Sequence, residues 1–221
     1  MDKILVVCAH PDDETLGLGG TIIKNIKKGA KVYVLAFTDG ELSREKVSDK
    51  KIKKRRDEFN KACNILGVHK TKFLDFKDQQ LDNHLLMKLA KEIEIVIKEW
   101  KPNIVYTHFW GDMNQDHRQL FDATLIATRP SPWSNINKIL CYETPSSTEW
   151  GNENFCPNLF IDIEKELPIK LKALKQYKHE IEKFPHPRSI DSIKNRSKYF
   201  GSSVGIKNAE AFFVLREIIR K

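Results

Sequence analysis

Near the N-terminus, Ala9-His10-Pro11-Asp12-Asp13-Glu14 sets an imidazole beside three carboxylates. His10 and Asp13 are three positions apart, so a tight turn entering a helix can aim both at one point. An imidazole nitrogen and a carboxylate oxygen are an ordinary pair of zinc ligands. Asp12 is then left over, beside the metal and free to handle protons. A second polar run, His108-Phe109-Trp110-Gly111-Asp112-Met113-Asn114-Gln115-Asp116-His117, ends in another imidazole. Two histidines and one carboxylate make a typical catalytic zinc set that keeps an open position for water. His10, Asp13 and His117 are therefore the expected metal ligands. Such a cluster is costly at a buried strand end without a partner charge.

Both runs need elements that bring them together. Lys3 to Cys8 reads as a buried strand, and Thr15 to Lys28 as a helix stopped by Gly29. Strands are expected at Lys31–Phe37, Thr71–Phe76, Asn103–His108, Lys138–Glu143 and Leu159–Ile163. Helices are expected at Ser48–Leu66 (Ser48 as N-cap, Gly67 as stop), Asp82–Trp100 and His117–Ala127. Thr144 to Pro157 reads as a long loop, and Glu164 to Lys221 as mainly helical with a break at Pro185-His186-Pro187. Alternating strands and helices of this length require right-handed crossovers. The expected architecture is α/β: a Rossmann-like, three-layer α/β/α fold with a mostly parallel sheet, as one domain over residues 1–221. In such a sheet the strand ends share one edge, where ligands bind, and His117 can meet His10 and Asp13 there.

Composition narrows the class. The chain has 221 residues, of which 40% are hydrophobic, enough for a core. No apolar run approaches the ~18 residues of a membrane helix, and no signal-peptide pattern opens the chain. Cys8, Cys63, Cys141 and Cys156 form no C-x-x-C pair, which points to buried free thiols in a reducing cytoplasm. The net charge is +8, much of it between Arg44 and Arg56. A solvated helix face accounts for that charge, and attraction to an anionic substrate or to nucleic acid is the other reading.

The sequence resembles the PIG-L/LmbE-like deacetylase family. The resemblance rests on A-H-P-D-D-E after the first strand and Thr38-Asp39-Gly40 after the second. It continues with Arg55-x-x-Glu58-x-x-x-Ala62-x-x-x-Leu66-Gly67, Asp116-His117, Phe155-x-Pro157-Asn158, His186-Pro187-Arg188-Ser189 and Ala209-Glu210-Ala211-Phe212. It implies an LmbE-like fold, one zinc ion per chain (other divalent transition metals accept the same ligands) and hydrolysis of an N-acetyl group. The implied substrate is an N-acetylglucosamine-type sugar or sugar conjugate. Within it, His10, Asp13 and His117 hold the metal and Asp12 is the general base. Arg55 contacts substrate, with Arg56 as the alternative if the register slips by one. Tyr142 stands where the family places a tyrosine near the site, and packing within its strand is the equal alternative. Relatives suggest self-association into a homo-oligomer, and the sequence leaves that state open.

The pattern departs from the family at Asn114, where many members carry a histidine. Asparagine can donate a hydrogen bond to an oxyanion but cannot carry a proton. Asp116, which would orient that histidine, is left to orient Asn114 or a water. His186 is a candidate to replace the lost imidazole, against the reading that it supports its Pro-flanked turn. Glu14 suits a helix-capping or loop-orienting role. Arg55 and Arg188 are candidate contacts for an anionic group on the substrate, and Trp110 and Trp150 for a sugar face. Gly17-Leu18-Gly19-Gly20 lacks dinucleotide spacing. Gly201-Ser202-Ser203-Val204-Gly205 reads as a turn between two terminal helices, not a nucleophile elbow. The competing readings are a deacylase of a different N-acyl amine and a non-catalytic protein binding nucleic acid or anionic glycan through its basic surface.

Overall fold

The computed structural model describes residues 1–41, 49–131 and 134–219. Strands β1 (Lys3–Cys8), β2 (Lys31–Thr38), β3 (Lys70–Phe76), β4 (Ile104–His108) and β5 (Lys138–Tyr142) pair in parallel. Helices α1 (Asp13–Lys27), α2 (Asp49–Leu66), α3 (Leu86–Trp100) and α4 (Gln115–Ala127) connect them. The C-terminal part adds β6 (Leu159–Asp162), α5 (Leu167–Leu174), α6 (Ile190–Ser202) and β7 (Ala209–Glu217). The sheet order is β3-β2-β1-β4-β5-β7-β6.

Period-two alternation builds the layers. Ile4, Val6 and Cys8 of β1, with Val32, Val34 and Ala36 of β2, face α1, α2, α5 and α6. Leu5, Val7, Leu35 and Phe37 turn the other way, onto Leu89, Ile93 and Val96 of α3 and Leu120 and Ala123 of α4. Both faces of the central strands are covered, which is why those strands read as continuous apolar runs. Strand order reverses between β1 and β4, and the carboxyl ends flanking that reversal form the natural crevice of such a sheet. No helix among the described residues is long and apolar enough to cross a membrane.

Three expectations need correction. The C-terminal segment is not mainly helical. Ala209–Glu217 is a strand inserted antiparallel between β5 and β6. Its Phe212 and Phe213 pack into different clusters on opposite faces, the signature of a strand. The Gly201–Gly205 stretch accordingly leads from α6 toward β7, not into another helix. Cys156 is exposed, so only Cys8, Cys63 and Cys141 fit the buried-thiol expectation. Ser48, with Arg44 and Lys46 of the basic run, lies outside the described residues.

Helix α1 is kinked at Leu18, whose φ of −145° leaves the helical range. The kink frees backbone groups, and a buried ion pair from the C-terminal part satisfies them. Glu210 of β7 accepts the Gly20 and Thr21 N–H groups at 2.9 and 2.6 Å. Lys170 of α5 donates to the Leu16 carbonyl at 2.8 Å and to Glu210 at 2.6 Å. Gly17 just before the kink is required by close approach, because a Cβ there would lie 2.4 Å from the Tyr142 ring.

Candidate metal centre and active site

Three ligand atoms converge where β1 and β4 end. His10 Nδ1 lies 3.2 Å from His117 Nε2 and 3.5 Å from Asp13 Oδ2, and the latter two are 3.6 Å apart. Zinc bonds of about 2.0–2.1 Å in a tetrahedron place ligand atoms about 3.4 Å from one another. Carboxylates occupy the outer face of each imidazole. His10 Nε2 is 3.0 Å from Asp78 and 3.2 Å from Asp116, and His117 Nδ1 is 3.1 Å from Asp112. Such partners take the outer N–H and fix the tautomer of a ligating histidine. The inner nitrogens then turn lone pairs toward each other and toward Asp13, an arrangement that repels unless positive charge lies between them. Asp12 Oδ1 and Asp13 Oδ1 are buried with no hydrogen-bond partner among the described residues. The donor set therefore fits a divalent cation.

The electrostatics agree. Burial pushes the Asp13 carboxyl up, but His117, His108 and His10 outweigh it and hold it well below the usual carboxylate range. Burial disfavours a charged His10, yet hydrogen bonds to Asp116, Asp13 and Asp78 raise it well above an ordinary histidine. His10, Asp78 and Asp116 form a second triple of close donor atoms. Asp116 there also accepts the Gln79 and Leu81 N–H groups at 2.8 and 3.1 Å. It thus serves as a hydrogen-bonding bracket for His10.

Asp12 is placed by strain and by charge. Its φ is +134°, a conformation that L side chains rarely adopt. Its N–H donates to Glu14 Oε2 at 3.0 Å. The other Glu14 oxygen accepts the hydroxyls of Tyr177, at 2.6 Å, and Thr15. Asp12 Oδ2 is 3.2 Å from both Arg55 and Arg188, and Glu180 pairs with the same two arginines at 3.3 and 2.9 Å. Burial pushes the Asp12 carboxyl up to about 6 against the pull of Arg188 and Arg55. Burial likewise pushes Glu14 up to about 7, against the Thr15 and Tyr177 hydrogen bonds.

The structure brings His10, Asp12, Asp13 and His117 together as expected from sequence, and it reassigns several other residues. Arg55 is 3% exposed and its guanidinium clamps Asp12 and Glu180. Arg188 is partly exposed, but its guanidinium already meets Asp12, Glu180 and Ser146. Two arginines thus face two carboxylates, Asp12 and Glu180. Arg56 pairs instead with Asp75. Tyr142 is fully buried and donates to the Val7 carbonyl at 2.9 Å, the packing alternative. His186 accepts the Arg188 N–H at 3.1 Å, bracing its turn. Asn114 caps α4, its oxygen accepting the Asp116 N–H at 2.9 Å, so only its NH2 side can serve an oxyanion. The Asp116 carboxylate points to His10 and not to the Asn114 side chain.

Other residues of the site have roles that the sequence did not assign, His108 and Asp112 of the second polar run among them. His108 stacks on His117 at 3.9 Å between ring centroids and accepts the Ala9 N–H at 3.0 Å, tying the ends of β4 and β1 together. Burial, followed by the neighbouring His117, drives its pKa well below the usual value. Asp112 receives the hydroxyls of Ser147 and Thr148. Asp78 and Asp112 did carry a signal, since both follow strand ends in an α/β pattern. Tyr177 and Glu180 carried none, because their partners lie far away in the chain.

Comparison with known proteins follows the same line. Residues 5–128 match a family model described as PIG-L: GlcNAc-PI de-N-acetylase. The uncharacterized deacetylase YaiS of Escherichia coli K12 is 34% identical over 182 residues, covering 79% of this chain and 90% of YaiS. The diacetylchitobiose deacetylase of Thermococcus kodakarensis is 28% identical, covering 94% of this chain and 81% of that protein. Among solved structures, the N,N'-diacetylchitobiose deacetylase of Pyrococcus horikoshii superposes with a TM-score of 0.79 at 22% identity, over 97% of this chain and 84% of that one.

Proposed function

The chain belongs to the PIG-L family of deacetylases, and from that premise we propose that it is a zinc-dependent hydrolase releasing acetate from an N-acetylated amino sugar or sugar conjugate. The single observation that carries this reading is the convergence of His10 Nδ1, Asp13 Oδ2 and His117 Nε2, with a buried Asp12 oxygen beside them that has no hydrogen-bond partner among the described residues. When bound, zinc lowers the pKa of a coordinated water to about 7 and polarises the amide carbonyl. Asp12 supplies the proton traffic: Oδ2 is held by the two arginines, and Oδ1 accepts the proton of the attacking water and returns it to the departing amine. The Asn114 NH2 offers a hydrogen bond to the developing oxyanion.

The test is acetate release from N-acetylglucosamine and diacetylchitobiose. Purified protein should contain about one zinc per chain. Activity should vanish on chelation and return on adding zinc. Turnover unchanged after complete metal removal would sink the reading.

The two arginines at Asp12 are engaged by carboxylates, so recognition of the rest of the conjugate falls to other residues. A cleft of about 460 Å³ beside Asp112 suits its remote part. Trp110, Arg118, Trp150 and Glu153 line it; Glu153 accepts the Trp110 indole N–H, and the exposed Trp150 ring offers an aromatic face to a sugar. Its wall is preset: Gly151 passes so close to the Gly111 carbonyl that a Cβ would lie 1.8 Å away. Trp150, 55% exposed, is the ring to test. Trp150→Ala should raise KM for diacetylchitobiose by about 2- to 10-fold, the equivalent of roughly 0.5–1.5 kcal/mol, while KM for the monosaccharide stays put. An equal change for both substrates would remove the cleft from the account.

A further inference from the structure

We infer that Tyr177, just beyond α5, is a positioning residue for Asp12, supporting its backbone and its carboxylate at once. The inference rests on Asp12 being the general base. One arm runs through the hydroxyl. Tyr177 donates to Glu14 Oε1 at 2.6 Å, and Glu14 Oε2 accepts the Asp12 N–H at 3.0 Å. This N–H belongs to the residue held at φ +134°, where something outside the local chain must stabilise the backbone. The other arm runs through the ring. The Arg55 guanidinium lies over Tyr177, 5.3 Å from the centroid, and Arg55 reaches Asp12 Oδ2 at 3.2 Å. Tyr177, Glu14 and Arg55 are all buried, so water cannot replace either arm. Three residues further on, Glu180 pairs with Arg55 and Arg188, so one short segment governs both cations on the Asp12 carboxylate.

With both arms in place, Asp12 Oδ2 is tied down and Oδ1 is left without a partner among the described residues, the geometry a base requires. Tyr177→Phe removes the hydroxyl arm and keeps the ring. Small displacements of a reacting group reduce rate far more than binding. Tyr177→Phe should lower kcat on diacetylchitobiose by about 10- to 100-fold, with KM and zinc content unchanged at temperatures well below its unfolding midpoint.

The deciding measurement is a double-mutant cycle with Asp12→Asn. Once the base is gone its placement is irrelevant, so Tyr177→Phe should change the residual rate by less than about twofold in that background. Glu14→Gln, which keeps the volume and one acceptor, serves as the second variant if Tyr177→Phe does not fold, and should show the same kcat-selective, non-additive pattern. Wild-type kcat in both variants, or full multiplication of either defect with that of Asp12→Asn, overturns the inference. Full turnover in Asp12→Asn alone would show instead that the base assignment is wrong, and the inference would fall with it.

Discussion

Asp12→Asn should lower kcat by about 10²- to 10⁴-fold, the usual contribution of a positioned general base, while zinc stays bound. The two effects separate because of where the atoms lie. Asp12 belongs to neither triple of potential ligand atoms, and its nearest charged partners are Arg55 and Arg188. Asparagine tolerates positive φ about as well as aspartate, so the backbone at +134° need not move. The substitution does remove one of the two carboxylates that pair with both guanidiniums, and some loss of thermal stability should accompany the loss of rate. Acetate-release kinetics together with metal analysis of the same sample decide the matter. A variant that turns over at the wild-type rate, or one that loses its zinc, would contradict the role given to this carboxylate.

The second large effect concerns stability. Glu210→Ala should lower the free energy of unfolding by about 3–5 kcal/mol, the range for removing one member of a buried ion pair. Lys170 would be left buried beside the Leu16 carbonyl, and the Gly20 and Thr21 N–H groups would lose their acceptor at the α1 kink. Replacing both partners, as in Lys170→Met with Glu210→Leu, should cost less than the single change, because no uncompensated charge remains. Urea unfolding with an unchanged m-value is the appropriate readout. A loss below about 1 kcal/mol for Glu210→Ala would mean that water or a neighbouring group fills the gap.

The parts of this molecule that follow local rules were legible from sequence. Apolar runs and glycine stops located β1 to β5 and their helices. Placing His10, Asp13 and His117 required only that parallel strand ends share an edge. Legibility ended where partners lie far apart in the chain. Arg55 looked like a substrate contact because an arginine on a helix shows its charge but not its counter-ions, and those come from positions 12 and 180. Tyr142 sat at a strand end as the two polar runs do, yet its hydroxyl turns back onto Val7. Nothing near Tyr177 in sequence hints at Glu14, since the hydrogen bond between them spans most of the chain. Strand β7 was missed for a related reason: a single antiparallel strand after a helical stretch breaks the alternation on which the forecast relied.

The insertion of β7 between β5 and β6 has a consequence for the order in which the molecule matures. Ribosomes release β1 and the His10–Glu14 turn well before β7. Until β7 arrives, Lys170 has no counter-ion from Glu210, β6 has no neighbour to pair with, and the bend in α1 lacks its clamp. The far half of α1, synthesised well before β7, is thus clamped only once that later strand is in the sheet.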